Sequence, residues 1–438
     1  MDQRDRFLGC LLGLATGDAL GAALEFQPRG SFNPIGDMVG GGPFELKPGE
    51  WTDDTSMSLC LAASLIETGR FDAADQMSRY CRWAEEGYLS SNGRCFDIGG
   101  TVAAALRRFQ ETGNPFAGSP HPGTAGNGCI MRLAPVPMFC YPDEALAEKY
   151  SVESSRTTHG AAECLDACRL LSGILVRALA GKSREEVLFG AGAAFAGSAS
   201  LAAIAQGEYR NKTADLIRGS GYVVRCLEAA LWSFLFTSTF EEAILKATNL
   251  GDDADTTAAV CGQVAGAYYG ASGIPERWLA RLAMREHITG IAHHFYARGP
   301  GALGPLLRMR DLSTVALPVS WKAQPLPSRV ARLPVQRTFS AAEFTVLARG
   351  EIPRSMDDRW FVYFHDGHLY LHRSWTGLCI YRLSVQEEGG SYVVREVLAN
   401  RDPGEHGETD DDHDAAMLNV LIERLLGRWT DLPPRSPQ

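Results

Sequence analysis

The chain has 438 residues, 45% of them hydrophobic and 21% charged, which is the composition of a folded protein of two or three domains and excludes intrinsic disorder. Its formal net charge of −10 argues against a general nucleic-acid or anionic-membrane surface, and neither partner is expected. The eleven cysteines are scattered without a CxxC pair, which reads as reduced, buried thiols in the cytoplasm and not as a disulfide framework or a zinc site.

The first element is "DRFLGCLLGLATGDALGAALEF" (Asp5–Phe26). It imitates a signal sequence, but Asp2 and Asp5 sit in its leader and Asp18 interrupts the small residues where cleavage would fall, so a buried helix is expected. No stretch reaches the roughly 18 consecutive apolar residues of a membrane span. "WTDDTS" (Trp51–Ser56) then sets two acids side by side at the mouth of an apolar helix. One reading is an N-terminal cap with acids favoured by the helix dipole, worth about 0.5–2 kcal/mol. The other is a cluster of hard oxygen ligands for Mg²⁺, Mn²⁺ or Ca²⁺. On this stretch alone the two stand level.

Apolar residues at three- and four-residue spacing predict helices over Ala161–Gly181, Gly221–Phe236 and Thr256–Gly270. In the last, Gly262, Gly266 and Gly270 leave one face bare for close packing in an all-α core. Its entrance, "NLGDDADTTAAVCGQ" (Asn249–Gln263), repeats the acid–threonine pattern. Three acids before an apolar core helix are costly unless a cation compensates them, which tips both clusters towards a cation site. An EF-hand counted from Asp253 would need glycine at 258 and glutamate at 264, where Ala258 and Val264 stand. "DADTT" also fits an aspartyl-phosphate pattern, but the preceding "LKATNLG" is not the apolar strand that pattern ends.

Residues 299–337 are rich in proline and glycine and read as a linker or wrapping segment between a helical region, 1–298, and a domain over 338–438. There the period becomes two. Trp360–Trp375 predicts a hairpin turning on Asp366–Gly367, further strands follow, and an acidic run leads into a last helix. Alternation places His365 on the opposite face from His368 and His372, so the three read as polar residues of a half-exposed hairpin. The expected fold class is all-α, followed by a small α+β domain.

Seven motifs carry a resemblance over about residues 5–298: "GCLLGLATGDALGAALEF", "WTDDTSM", "CFDIGGT", "GNGCIMRLAPV", "TTHG", "GYVVRCLEAALW" and "GDDADTTAAVCGQVAGAYYG". In this order they resemble the ADP-ribosylglycohydrolase family. The resemblance implies an orthogonal helical bundle with two Mg²⁺ or Mn²⁺ ions at the floor of a cleft. It implies Thr52, Asp53, Asp54, Asp253, Asp255 and Thr256 as metal ligands, with Asp252 a supporting or solvated acid and Asp18 a structural anchor of a turn. Glu25 matches the family's mobile glutamate over the substrate and Asp97 its second cleft carboxylate, the two sharing acid and base roles. Gly99 and Gly100 would admit a ligand closely. Thr124, Gly126 and Asn127 would line the part that holds a diphosphate on backbone N–H groups. His159, on spacing alone an ordinary capping or core histidine, matches one that contacts the nucleotide.

The function so implied is metal-dependent removal of ADP-ribose from a modified protein side chain, arginine before serine or O-acetyl-ADP-ribose, with ADP-ribose as product. The alternative class is a non-catalytic, immunity-type partner that occludes an ADP-ribosylating protein. Against it, all six metal positions hold competent oxygen donors. The C-terminal domain reads equally as a target-recognition module or as a stabilising or dimerising appendage.

Overall fold

A computed structural model of the chain describes residues 2–297, 316, 321–353, 358–365, 367–388, 391–407 and 410–427. These fall into two units, Met1–Tyr296 and Ala297–Gln438. The first unit is helical: α1 (Gln3–Gly21), α2 (Asp53–Thr68), α3 (Ala73–Glu86), α4 (Gly100–Thr112), α5 (Pro135–Cys140), α6 (Glu144–Thr158), α7 (Ala162–Leu179), α8 (Arg184–Phe189), α9 (Ala199–Ala205), α10 (Val223–Leu235), α11 (Phe240–Thr248), α12 (Ala254–Tyr269), α13 (Glu276–Leu279) and α14 (Arg285–Ala297).

The bare face of α12 finds a matching one on α1. Gly9, Gly13, Gly17 and Gly21 recur every fourth residue, and a Cβ on any of them would collide with the α12 backbone at Gly266, Gly262, Ala258 and Asp255 respectively. The reverse holds for Gly262 against Gly13 and Gly266 against Gly9. Side-chain-free contact lets the two helices run antiparallel at very short range, so the C-terminal end of α1 meets the N-terminal end of α12. That end-to-end meeting positions the site. By length and composition Gln3–Leu24 is apolar enough to cross a membrane, which counting uninterrupted apolar residues overlooked, but 89% of its most apolar window is buried. Here it is a core helix.

The second unit is built on an antiparallel sheet of β1 (Val330–Arg332), β2 (Thr338–Ser340), β3 (Trp360–His365), β4 (His368–Arg373), β5 (Cys379–Glu388) and β6 (Ser391–Asn400), in the order β1-β6-β5-β4-β3 with β2 also on β6. Helices α15 (Ala341–Arg349) and α16 (Asp411–Leu425) bury Phe344, Leu347, Leu418, Leu421 and Ile422 against Trp360, Val362, Leu369, Leu371 and Ile380. Of the segment read as a linker, 299–315 and 317–320 lie outside the described residues, while Val330–Arg332 pairs with Leu398–Asn400 as a strand.

The hairpin forms, with Asp366 outside the described residues, but its histidines are not arranged as alternation implied. His365 pairs directly with His368, and Phe361 with His372. Directly opposed residues of an antiparallel pair share a face, so all three histidines lie on one side. Counting along a single strand ignored the reversal of the chain. His372 is buried, not half-exposed; it stacks on Tyr363 with centroids 5.3 Å apart, and its Nδ1 is 2.9 Å from the Gly377 carbonyl oxygen.

Candidate functional site

Helices α2 and α12 both begin at residues whose own side chains form no cap, Thr52 and Asp253. The caps come from the end of α1 and from the turn that follows it. Asp18 accepts from the backbone N–H groups of Thr52 and Thr55 (both 2.9 Å) and from their hydroxyls (2.9 and 2.6 Å). Its role is therefore to anchor the entrance of α2, across the core, and not a turn of its own segment. Glu25 does the same for α12, accepting from Ala254 N–H at 2.9 Å and Asp255 N–H at 3.4 Å. With α2 capped from outside, Asp53 and Asp54 are not needed as caps, so capping alone does not account for "WTDDTS"; Asp255 adds a local bond, accepting from Thr256 N–H at 2.7 Å.

The two entrances interlock. The Thr52 hydroxyl donates to Asp255 Oδ2 at 3.3 Å, and the Thr256 hydroxyl donates to Asp54 Oδ1 at 3.1 Å. Carboxylate oxygens of Glu25, Asp253 and Asp255 lie within 4.8 Å of one another. Glu25 and Asp97 both lie close enough to Asp255 for its carboxyl to raise theirs. Among the described residues no Lys or Arg lines the cavity above this cluster.

Burial without a cation makes ionisation costly. Burial, then the charge of Asp255, pushes the Asp18 and Asp253 carboxyls up to about 7. Burial and then Asp53 push Asp97 up to about 11. The same causes, burial first, hold Glu25, Asp53 and Asp54 far above the usual carboxylate range. Asp54 Oδ2 and Asp253 Oδ1 are buried with no hydrogen-bond partner. Orphaned hard oxygens inside a cluster of repelling acids are the donor set a divalent cation compensates, so these residues fit such an ion.

Above the cluster lies a cavity of about 550 Å³. Asp53, Asp253, Asp255 and Thr256 form its floor with Glu25 and Asp97, while Thr52 and Asp54 are buried beneath it. Asp97 adopts φ +59°, which turns the chain so that Gly99 and Gly100 present bare backbone to the cavity at the start of α4. Across from them, Gly126, Asn127 and Gly128 form the other wall. Asn127 donates to Asp253 Oδ2 at 3.2 Å, which ties this wall to the acids. A Cβ on Gly128 would lie 2.8 Å from the His159 ring, so glycine is required there for the imidazole to reach the wall. His159 is 2% exposed, with Nδ1 2.8 Å from the Thr158 hydroxyl. Burial lowers its pKa to about 4, so the ring is neutral near pH 7.

One expectation changes, and a second is refined. Thr124 does not line the cavity; its hydroxyl donates to the His121 and Ser119 carbonyls at 2.7 and 3.3 Å, which spends it on the loop itself. Asp252 also lies outside the lining, and its backbone brackets the Glu25 segment instead, through Phe26 N–H to Asp252 O and Asp252 N–H to Gln27 O, both 2.8 Å. The cavity residues Phe26 and Gly128 went unremarked in the sequence. Gly128 was visible in "GNG", but its neighbour His159 is 31 residues away, and Phe26 carries no polar signal at all.

Residues 1–303 match the family model described as ADP-ribosylglycohydrolase. ADP-ribosylarginine hydrolase Tri1 of Pseudomonas putida (strain GB-1) is 47% identical over 296 residues, covering 68% of this chain and 79% of that protein. The ADP-ribosyl-dinitrogen reductase glycohydrolase of Rhodospirillum rubrum is 35% identical over 291 residues, covering 64% of this chain and 91% of that protein. A solved structure described as an ADP-ribosylglycohydrolase-related protein complex aligns with a TM-score of 0.61 at 42% identity, over 68% of this chain and 99% of that one.

Proposed function

The chain belongs to the ADP-ribosylglycohydrolase family, and from that premise we propose that residues 1–298 are a metal-dependent hydrolase releasing ADP-ribose from a modified protein side chain, arginine first. Relatives at 45–47% identity are named ADP-ribosylarginine hydrolases, which supports the arginine linkage. The observation that carries the reading is the meeting of two acidic helix entrances, about 200 residues apart, around orphaned carboxylate oxygens beside Glu25 and Asp97. The eleven cysteines are all free, which supports a reducing, cytoplasmic setting.

Thr52, Asp53, Asp54, Asp253, Asp255 and Thr256 would hold two Mg²⁺ or Mn²⁺ ions. Bound there, the ions would supply Lewis-acid polarisation of oxygen and charge compensation for the acids. The chain's own residues do the rest. Gly99, Gly100, Gly126 and Gly128 offer bare backbone against which a diphosphate fits closely, and Asn127 links that wall to the acids. The neutral His159 ring closes the nucleotide end. At the anomeric carbon, Glu25 and Asp97 flank Asp255 and between them supply one acid for the leaving nitrogen and one base for water. The surrounding carboxylates stabilise the positive charge that develops on the ribose as the bond breaks. ADP-ribose and the unmodified side chain result.

The test is incubation of the purified chain with arginine- and serine-ADP-ribosylated proteins, with Mg²⁺, with Mn²⁺ and with chelator. Cation-dependent release of ADP-ribose from the arginine linkage is expected. If neither substrate is cleaved while ADP-ribose still binds, the chain is an occluding partner and the hydrolase reading is overturned.

A further inference from the structure

A run of three phenylalanine rings starts at the acidic end of the cavity, where Phe26 lines it, and takes no part in the chemistry above. Phe26 directly follows Glu25, lines the cavity and is 63% exposed. Phe44 meets it edge-on, with ring centroids 6.2 Å apart, and Phe44 contacts Phe96 at 5.4 Å. Phe96 directly precedes Asp97, so the run of rings joins the backbones of the two acid–base residues.

Phe26 is held in place against its own preferences. Its φ of +61° is one that a bulky L-residue rarely adopts, and the two backbone hydrogen bonds to Asp252 fix it there. Strain of this kind persists only where the surroundings impose it, and it clusters at functional sites. Here it sets a large apolar ring in solvent beside Glu25, Asp53, Asp97, Asp253 and Asp255, with no Lys or Arg among the described lining residues. Burial of the ring explains none of this. An exposed aromatic face beside carboxyl groups, with no basic side chain competing for it, is a receptor for a cation, and a planar guanidinium stacks on it best.

We propose that Phe26, backed by Phe44 and Phe96, selects the leaving side chain by stacking on the guanidinium of an ADP-ribosylated arginine. The proposal rests on the hydrolase reading above. It follows from placement: the scissile bond sits among Glu25, Asp97 and Asp255, and Phe26 is the exposed surface next to them, where the group on the far side of that bond emerges. A serine side chain brings neither charge nor plane and gains nothing from the ring.

The experiment measures kcat and KM on an arginine-ADP-ribosylated peptide, and the Kd of free ADP-ribose by calorimetry, for the full chain and for Phe26→Ala, Phe26→Leu and Phe26→Trp. Phe26→Ala and Phe26→Leu should lower kcat/KM about tenfold, mainly through KM, while Phe26→Trp stays within about twofold of wild type. Free ADP-ribose, which lacks the side chain, should bind all four proteins alike, and that binding also reports that the variants are folded. The proposal is overturned if Phe26→Leu behaves as wild type, since apolar bulk then suffices, or if ADP-ribose affinity falls in parallel, since the ring then packs against the nucleotide. An inactive wild type would instead remove the hydrolase reading on which it stands.

Discussion

Each unit of this chain buries acids, and the two treat them in opposite ways. In the second unit Asp414, 1% exposed, is met by Arg401 at 2.6 Å, by His406 at 3.2 Å and by the Tyr381 hydroxyl. Burial opposes its ionisation, but the hydrogen bonds from His406, Tyr381 and Arg401 outweigh it and hold the carboxyl below its usual range. In the first unit Asp18, Asp53, Asp54 and Asp255 are buried together with the half-buried Asp253, no Lys or Arg among the described residues lines the cavity they share, and two of their oxygens have no partner. A fold that needs a buried acid for structure supplies its counter-charge from its own residues. One that withholds it leaves room for a charge from outside.

The sharpest way to break this contrast is to remove an acid from each cluster. Asp255→Asn, which disturbs contacts to Thr52, Glu25 and Asp97 at once, should lower ADP-ribose release from an arginine-modified protein by about 10³-fold. Activity within tenfold of wild type would show that the cluster is not the reaction centre. Removing repulsion should leave the metal-free stability of the first unit unchanged or raised. Asp414→Ala should do the reverse: it takes from Arg401 one of its two carboxylate partners, Asp411 remaining, leaves the buried Tyr381 hydroxyl without its acceptor, and should cost the second unit about 2–3 kcal/mol in guanidinium unfolding. Equal losses in the two variants would erase the distinction.

Much of this was legible before any coordinates. Helical periodicity over 161–181, 221–236 and 256–270 and the bare face at Gly262, Gly266 and Gly270 correspond to α7, α10 and α12. The two acid–threonine entrances pointed to a shared cation because charge burial is expensive wherever it occurs. What stayed hidden depended on partners distant along the chain. Asp18 caps a helix 34 residues on, so its own neighbours gave no hint of that role. The hairpin histidines were misplaced because strand alternation is local, whereas facing is set by pairing. Val330–Arg332 has no strand signal of its own and owes its conformation to β6. The polar Thr124 resembled a ligand contact until its hydroxyl was seen spent on His121 and Ser119.

A smaller effect tests the outside charge directly. A divalent cation that binds only the folded first unit should stabilise it by about 2.7 kcal/mol at a hundredfold excess over its Kd. Mg²⁺ or Mn²⁺ should therefore raise the first unit's thermal midpoint. Asp54→Asn, at the position whose Oδ2 is orphaned, should abolish that rise. A cation response that survives Asp54→Asn would move the ion elsewhere.

The last expected signal is read from the sign of the pH dependence and not from its size. For the metal-free first unit the folded carboxyls hold their protons above the unfolded value of about 4. The folded state therefore binds more protons, and stability declines as pH rises from about 4, with Asp18 and Asp253 completing their share near 7. Asp414 runs the other way: its folded value lies below the unfolded one, so its contribution is complete above about 4 and is lost as pH falls through the folded value. Buried His159, held near 4, and surface acids such as Asp72, held low by the hydrogen bond from Arg70, oppose the first trend and shrink it. Thermal melts in chelator between pH 8 and pH 4 should show the first unit's transition moving up as pH falls towards 5, with the second unit's level above about 6.5 and moving down below it, where buried His372 resists the proton its unfolded form takes up. If both transitions moved together, the first unit's acids would have to be neutralised from within the fold, and the contrast with Asp414 would be lost.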